Sequence, residues 1–200
     1  MITIIDYGAG NLSSVDKACK YLGYETEITS DINKILSATK LILPGVGSCG
    51  DAMAMLKSSG IANAVKKQIA SGTPLLGICL GMQMLFDYSE EGEADCLSMV
   101  EGDIKRFPDD MGLKVPQIGW NSITPNKTSR LFEGIEEGSF VYFVHSYYAH
   151  CNNQADSAAK AEYGIEFDVA IEKGNLFATQ FHPEKSGDTG LKILDNFLKL

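Results

Sequence analysis

The sequence predicts an α/β fold: an open, mostly parallel sheet with helices on both faces, extended on one side by antiparallel strands. Three observations carry this prediction. In the first half, short apolar runs alternate with segments of helical period, the pattern of strands joined by crossover helices. From about Val100 the pattern changes to strand-like runs at hairpin spacing. The 200-residue chain is 44% hydrophobic and 22% charged, with no linker or low-complexity segment, so residues 1–200 are expected to form one domain.

Ile2 to Asp6 reads as the first strand. Gly8-Ala9-Gly10-Asn11 turns the chain, and Val15, Ala18, Cys19 and Leu22 recur at helical spacing before Gly23 stops the helix. Glu25 to Thr29 alternates as a second strand. A short helix through Ile32, Ile35 and Leu36 leads to a strand from Lys40 to Leu43, which ends in the loop Pro44-Gly45-Val46-Gly47-Ser48. Asp51 opens the next helix, Ile61 to Ala70 continues helically until Gly72, and Pro74 to Ile78 reads as a buried central strand running into Cys79. The run Met82 to Phe86 is expected to be helical. Hairpin strands are expected around Lys105, Val115, Ile123, Val141 to Tyr147 and Leu176 to Phe181, with Asn152 to Ser157 as a polar loop. Thr189 to Leu200 sets Leu191, Leu194, Phe197 and Leu198 on one helical face and closes the fold.

With 26 acidic and 17 basic residues the formal charge is −9, a field that repels phosphate backbones and anionic lipids. Neither nucleic acid nor membrane is an expected partner. The N-terminus carries no basic leader pattern, and no apolar run reaches the ~18 residues of a membrane span, which points to the cytoplasm. Five cysteines, an odd number without C-x-x-C spacing, argue for free thiols over a disulfide framework or a zinc cluster. No metal and no cofactor is expected. Gly8-Ala9-Gly10 resembles a dinucleotide loop, with Glu25 and Glu27 at ribose distance, but Ser13 stands where its third glycine or alanine belongs.

Chemistry is concentrated at Gly77-Ile78-Cys79-Leu80-Gly81, which follows the central strand and precedes a helical run: strand, sharp turn, helix. This is the plan of a nucleophile elbow with sulfur in place of oxygen, the flanking glycines admitting neighbouring backbone and the helix start favouring a thiolate. The alternative is a small buried core cysteine, which has no use for such glycines. A thiolate needs a base, and only His145, His150 and His182 are available. His182 ends an apolar strand at His182-Pro183-Glu184; proline holds it extended, and residues two apart on an extended chain share a side, so Glu184 reaches the imidazole and fixes its tautomer. A plain His-Pro surface turn is the competing reading. His145, inside an apolar strand, ranks second, and His150 with Cys151 points to opposite faces. For the oxyanion, the Leu80 amide is one natural donor and Val46, in the glycine-rich loop, the other.

These residues resemble the class I glutamine amidotransferases, whose Gly-x-Cys-x-Gly elbow and His-Pro-Glu triplet stand here at Gly77 to Gly81 and His182 to Glu184. The further segments Ile4 to Asn11, Pro44 to Gly47, Ile118-Gly119-Trp120-Asn121 and Val144 to Tyr147 are similar to those of glutaminase subunits of imidazole glycerol phosphate synthases. The resemblance covers essentially the whole chain. It implies a lyase-associated hydrolase of histidine biosynthesis that splits L-glutamine into glutamate and ammonia and passes ammonia to a (β/α)8-barrel cyclase subunit in a heterodimer. It makes Cys79 the nucleophile, His182 the base and later acid, and Glu184 the orienting carboxylate. It places Gly45, Gly47, Gln83, Glu91, Ser146 and Tyr147 around the substrate, although a solvated helix face would explain Gln83 and a plain acidic loop Glu91.

Asn11 and Trp120 are candidates for the partner interface, Trp120 having core packing as its alternative. One departure is Gln117, where the resembling subunits usually have histidine. Other readings stay open: a stand-alone glutaminase feeding another synthase, such as a pyridoxal phosphate or sugar-modifying one, a cysteine-bearing stress protein or peptidase with the same elbow, and an idle binding subunit.

Overall fold

In the computed structural model, which describes residues 1–200, the chain runs β1 (Ile2–Ile5), α1 (Leu12–Tyr21), β2 (Thr26–Thr29), α2 (Ile32–Leu36), β3 (Lys40–Gly45), α3 (Cys49–Ser58), α4 (Ile61–Ala70), β4 (Leu75–Cys79) and α5 (Leu80–Gln83). It continues through β5 (Tyr88–Ser89), β6 (Ala94–Asp95), β7 (Gly102–Arg106), β8 (Gln117–Ser122), β9 (Thr124–Pro125), β10 (Phe140–His145) and β11 (Tyr147–Cys151). The last elements are β12 (Ser157–Glu162), β13 (Glu166–Lys173), β14 (Leu176–Thr179) and α6 (Gly187–Lys199). The main sheet has the order β2-β1-β3-β4-β14-β13-β11-β7-β5-β6, and its first five strands are mutually parallel. Beyond β14 the pairing turns antiparallel through β13, β11 and β7. The open, mostly parallel sheet with an antiparallel extension is therefore the fold the sequence predicts.

Strands β1, β3 and β4 read as unbroken apolar runs because both faces of the sheet are covered. Successive residues point to opposite sides: Ile5, Leu41, Leu43 and Leu75 enter the apolar layer with α3 and α4, while Ile4, Ile42, Leu76 and Ile78 enter the layer with α1 and α6. The C-terminal ends of β3, β4 and β14 thus meet at one edge, where open α/β sheets keep their ligands.

The second half departs from the sequence reading in several places. β12 and β13 were not expected, because Glu166, Asp168 and Glu172 disguise β13 as a polar segment. Asp168 is in fact buried and accepts hydrogen bonds from Ser157 Oγ (2.6 Å) and the Cys151 N–H (2.8 Å). The strand sought around Val115 begins at Gln117, and the one around Ile123 is only the short β9. The run Val141 to Tyr147 breaks at Ser146: β10 pairs only with β8 in a separate two-stranded arm, whereas β11 joins the main sheet. Helix α5 stops at Gln83, because Leu85 and Phe86 donate to Met82 and Gln83 in tight turns rather than continuing the helix. The expected polar loop Asn152 to Ser157 holds a single 3-10 turn at Gln154–Asp156.

Candidate active site

Cys79 ends β4 with φ 56° and ψ −111°, a backbone state that costs a residue with a side chain of order 1–3 kcal/mol and persists only where the surroundings impose it. The imposing contacts are backbone approaches. A Cβ at Gly81 would lie 1.8 Å from the Leu43 carbonyl oxygen, and one at Gly77 would lie 2.8 Å from the Gly81 oxygen. The strained residue of the elbow is therefore the cysteine itself, and its glycines serve close approach. With only four residues, α5 offers local N–H groups but little macrodipole, so the expected helix-dipole effect reduces to the amides at its first turn.

His182 stands where the chain leaves the sheet. Its N–H donates to the Tyr142 carbonyl (3.1 Å), and Ser186 Oγ donates to the His182 carbonyl (2.6 Å) while accepting from the Tyr142 N–H (2.9 Å), which clamps the residue between β10 and α6. His182 is extended before Pro183, as expected, but the chain does not stay extended to Glu184: Pro183–Lys185 forms a 3-10 turn whose first φ suits proline. The turn still delivers Glu184 Oε1 to His182 Nδ1 at 2.8 Å, both side chains almost fully buried. The carboxylate fixes the proton on Nδ1, leaving Nε2 buried with no hydrogen-bond partner of its own. Burial alone would depress the imidazolium, but Cys79 and Glu184 outweigh it and hold His182 at about 9.

Cys79 and His182 line one cavity of about 330 Å³ together with Val46, Gly47, Leu80, Gln83, Glu91, Pro116, Val144, His145, Ser146 and Tyr147. Of the residues the resemblance places around substrate, Gly47, Gln83, Glu91, Ser146 and Tyr147 are brought together here. Gly45 is not: it is buried within β3, where a Cβ would meet Tyr7 Oη, Leu80 Cβ and the Gly81 nitrogen within 3 Å, so its role is to let the loop close on the elbow. Gly47 has φ +97° with open space around it, so the loop turns at a state that suits glycine.

Gln83 is buried, not on a solvated face, and its amide donates to Gln180 Oε1 (2.9 Å) and the Tyr147 carbonyl (3.2 Å). Glu91 accepts from the Cys49 N–H at 2.9 Å, and burial raises its pKa. Asn11 precedes α1, half-buried. Trp120 is 56% exposed, which rules out its packing the core.

Two participants escaped the sequence reading. Gln180, beside Thr179 in an otherwise apolar run, donates to Cys79 Sγ at 3.7 Å. Gln117, noted in the sequence only as a departure from the resembling subunits, is buried with its Oε1 3.0 Å from His145 Nε2. His145 Nδ1 lies 2.7 Å from the Tyr147 carbonyl, which can only accept, so Nδ1 carries the proton. Burial lowers the His145 pKa to about 4, leaving a neutral ring whose Nε2 needs a donor; Gln117 Oε1 faces it at 3.0 Å, and turning that amide over about its own axis presents the NH2 that this nitrogen requires. His145 thus has no carboxylate partner, and both ring nitrogens are engaged.

Residues 3–200 match the family model "Glutamine amidotransferase class-I". The chain is 52% identical to imidazole glycerol phosphate synthase subunit HisH of Caldanaerobacter subterraneus subsp. tengcongensis over 98% of this chain and 97% of that protein. It is 49% identical to the subunit of the same name from Dehalococcoides mccartyi, over 100% of this chain and 97% of that one. Among solved structures, a glutamine amidotransferase superposes with a TM-score of 0.78 at 20% identity, covering 100% of this chain and 98% of that one. PurLQS from Thermotoga maritima also gives 0.78 at 20% identity, covering 99% and 97%. These two similarities speak for the fold.

Proposed function

The chain belongs to the class-I glutamine amidotransferases and, within them, to the family of imidazole glycerol phosphate synthase subunit HisH, and on that premise we propose how its residues work: as one glutaminase domain that hydrolyses L-glutamine at Cys79. The observation that carries the proposal is the cavity in which a strained, elbow-mounted cysteine and a carboxylate-fixed, otherwise unpartnered histidine share one wall. Cys79 Sγ gives its proton to His182 Nε2 and attacks the side-chain amide carbon of glutamine. The oxyanion that forms is met by the amides of Leu80 and Val46. His182 returns the proton to the departing nitrogen, ammonia leaves, and a thioester remains. Water then attacks the thioester with His182 as base, and glutamate is released with the thiol restored. Gln83, Glu91, Ser146 and Tyr147 hold the amino-acid head group, and Gly47 lets the loop above it turn.

The ammonia passes to a (β/α)8-barrel cyclase bound as a heterodimer. What supports this docking site is an apolar face on the two-stranded arm: Ile118 is 63% exposed, Phe140 57%, and Trp120 and Val144 share their side through the register Val144 to Ile118 and Tyr142 to Trp120. Val144 also lines the cavity, so the partner covers the rim of the glutaminase site. No helix is long and apolar enough to cross a membrane, and all five thiols are free, which supports a place in the cytoplasm.

Glutamate release measured with and without the barrel subunit and its ligand tests the reading. The lone chain should be slow and the liganded complex fast; full activity from the lone chain, unchanged by the barrel, would favour an independent glutaminase. Cys79→Ala should abolish release with the fold intact, and a glutamine-mimicking electrophile should label Cys79 alone. Trp120→Ala should weaken barrel binding by roughly tenfold or more, as loss of an aromatic interface anchor does, without changing the basal rate.

A further inference from the structure

Two of the four cysteines outside the elbow lie together. Cys49 opens α3 and Cys96 follows β6, and their sulfurs are 3.6 Å apart in the buried layer between them. The two segments are pinned: Lys57 Nζ of α3 donates to the Asp95 carbonyl at 2.7 Å, so the thiols are held in register. A disulfide needs about 2.05 Å between sulfurs, so closing this pair takes an approach of about 1.5 Å.

The neighbours of the pair belong to the cavity. The Cys49 N–H is the donor that fixes Glu91 Oε2 at 2.9 Å, and Gly47 lies two residues before Cys49. Backbones touch as well, since a Cβ at Gly92 would stand 3.1 Å from the Gly50 Cα. Any pull on the start of α3 therefore moves the donor to Glu91 and the segment leading from the glycine loop, while Cys79 and His182 rest on β4 and the clamp between β10 and α6.

We propose that Cys49 and Cys96 form a dithiol oxidation site, which a peroxide closes into an intramolecular disulfide that weakens glutamine binding in the adjoining cavity. The hydrogen bond from Cys96 favours the thiolate at Cys49 and disfavours it at Cys96, so the Cys49 sulfur reacts first. It attacks the peroxide and its O–O bond breaks, giving a sulfenic acid. Cys96 sulfur then displaces the hydroxyl as water and the S–S bond forms. With hydrogen peroxide the balance is two thiols and one peroxide to one disulfide and two waters, the peroxide taking both electrons and both protons. The site itself stands on the cysteine geometry; only its effect on binding rests on the glutaminase reading.

The test treats the full chain, alone and with the barrel subunit, with hydrogen peroxide, then digests it without reduction using trypsin and a glutamate-specific protease so that Cys79 and Cys96 fall in separate peptides. A Cys49-to-Cys96 linked peptide is expected, together with a roughly tenfold rise in glutamine KM at nearly unchanged kcat, the signature of lost ground-state binding. A thiol reductant should restore KM, and Cys96→Ala, with Cys49→Ala as its counterpart, should not respond. Both thiols remaining free would overturn the site. Linkage with KM unchanged would overturn the coupling, and a KM rise that persists in the alanine variants would assign the effect to oxidation elsewhere and overturn it too, whereas oxidation of Cys79 itself shows as a loss of kcat. If the reduced protein releases no glutamate at all, the glutaminase reading fails, while the peptide map still decides the dithiol.

Discussion

His145 and His182 line the same cavity and are both buried, yet their surroundings drive them in opposite directions. His182 sits on the turn after β14 with Glu184 on one nitrogen and the cysteine region on the other side, and is held up at about 9. His145 ends β10 with the Tyr147 carbonyl and the Gln117 amide as partners, and burial takes it down to about 4. A buried imidazole keeps its proton only where an anion compensates the desolvation; neutral dipoles fix its orientation without doing so. The turn thus supplies a ring that can take and return a proton, and the arm supplies one that acts as a fixed connector. Through the Tyr147 carbonyl, Gln83 and Gln180, that connector reaches the sulfur of Cys79.

The largest test of this contrast exchanges each ring for an amide. His182→Asn should lower single-turnover acylation by roughly 10³-fold or more, as the loss of a general base within a triad does. His145→Asn should lower it by less than about tenfold, while costing about 1–3 kcal/mol of stability through the partners left unpaired in the interior. Rapid-quench acylation and denaturant titration check the two halves. A dead His145→Asn protein beside a normal His182→Asn protein would exchange the roles.

A smaller effect is expected from the anion alone. Glu184→Gln keeps the shape and a hydrogen-bond acceptor but removes the charge, so His182 should lose the part of its elevation that Glu184 supplies, and the turnover rate should drop by roughly 10 to 10³-fold, less than for His182→Asn. The rate-against-pH profile should move with it, because one of the two groups that together hold His182 at about 9, Cys79 and Glu184, has lost its charge. A profile unchanged by this substitution would mean that Cys79 alone sets the His182 proton.

The sequence made the two histidines unequal in its own way. His182 was legible because its orienting partner is two residues away, and the elbow because its parts are contiguous. His182 is extended before Pro183, as read, but Pro183 then starts a 3-10 turn and not a continued strand; a carboxylate two residues on is within reach by either path. His145 was harder, since its partner Gln117 comes from β8 and meets it only through the arm's register. The parallel half was readable from unbroken apolar runs. β13 was not, because three acidic residues hid a central strand whose Asp168 is satisfied by partners from β11 and β12. Gln180 shows the same limit: its contacts to Gln83 and Cys79 span about half the chain.

The smallest and most specific consequence lies in stability against pH. His145 titrates near 4 in the folded chain and near 6.5 when unfolded, so between those values the unfolded state binds the extra proton, and stability rises with pH by up to about 3 kcal/mol. His182 has the opposite sign. Its folded value of about 9 lies above the unfolded one, so its contribution is fully present below 6.5 and is lost as pH rises through 9. Glu91, raised by burial, works against the His145 slope where it titrates, which is why the comparison must be made between proteins and not on one curve. Urea titrations of the native chain and of the two asparagine variants from pH 4 to 9.5 isolate each group. His145→Asn should flatten the acid limb and leave the alkaline limb, His182→Asn should do the reverse, and a shared change in both limbs would mean that the two rings titrate as one coupled unit across the cavity.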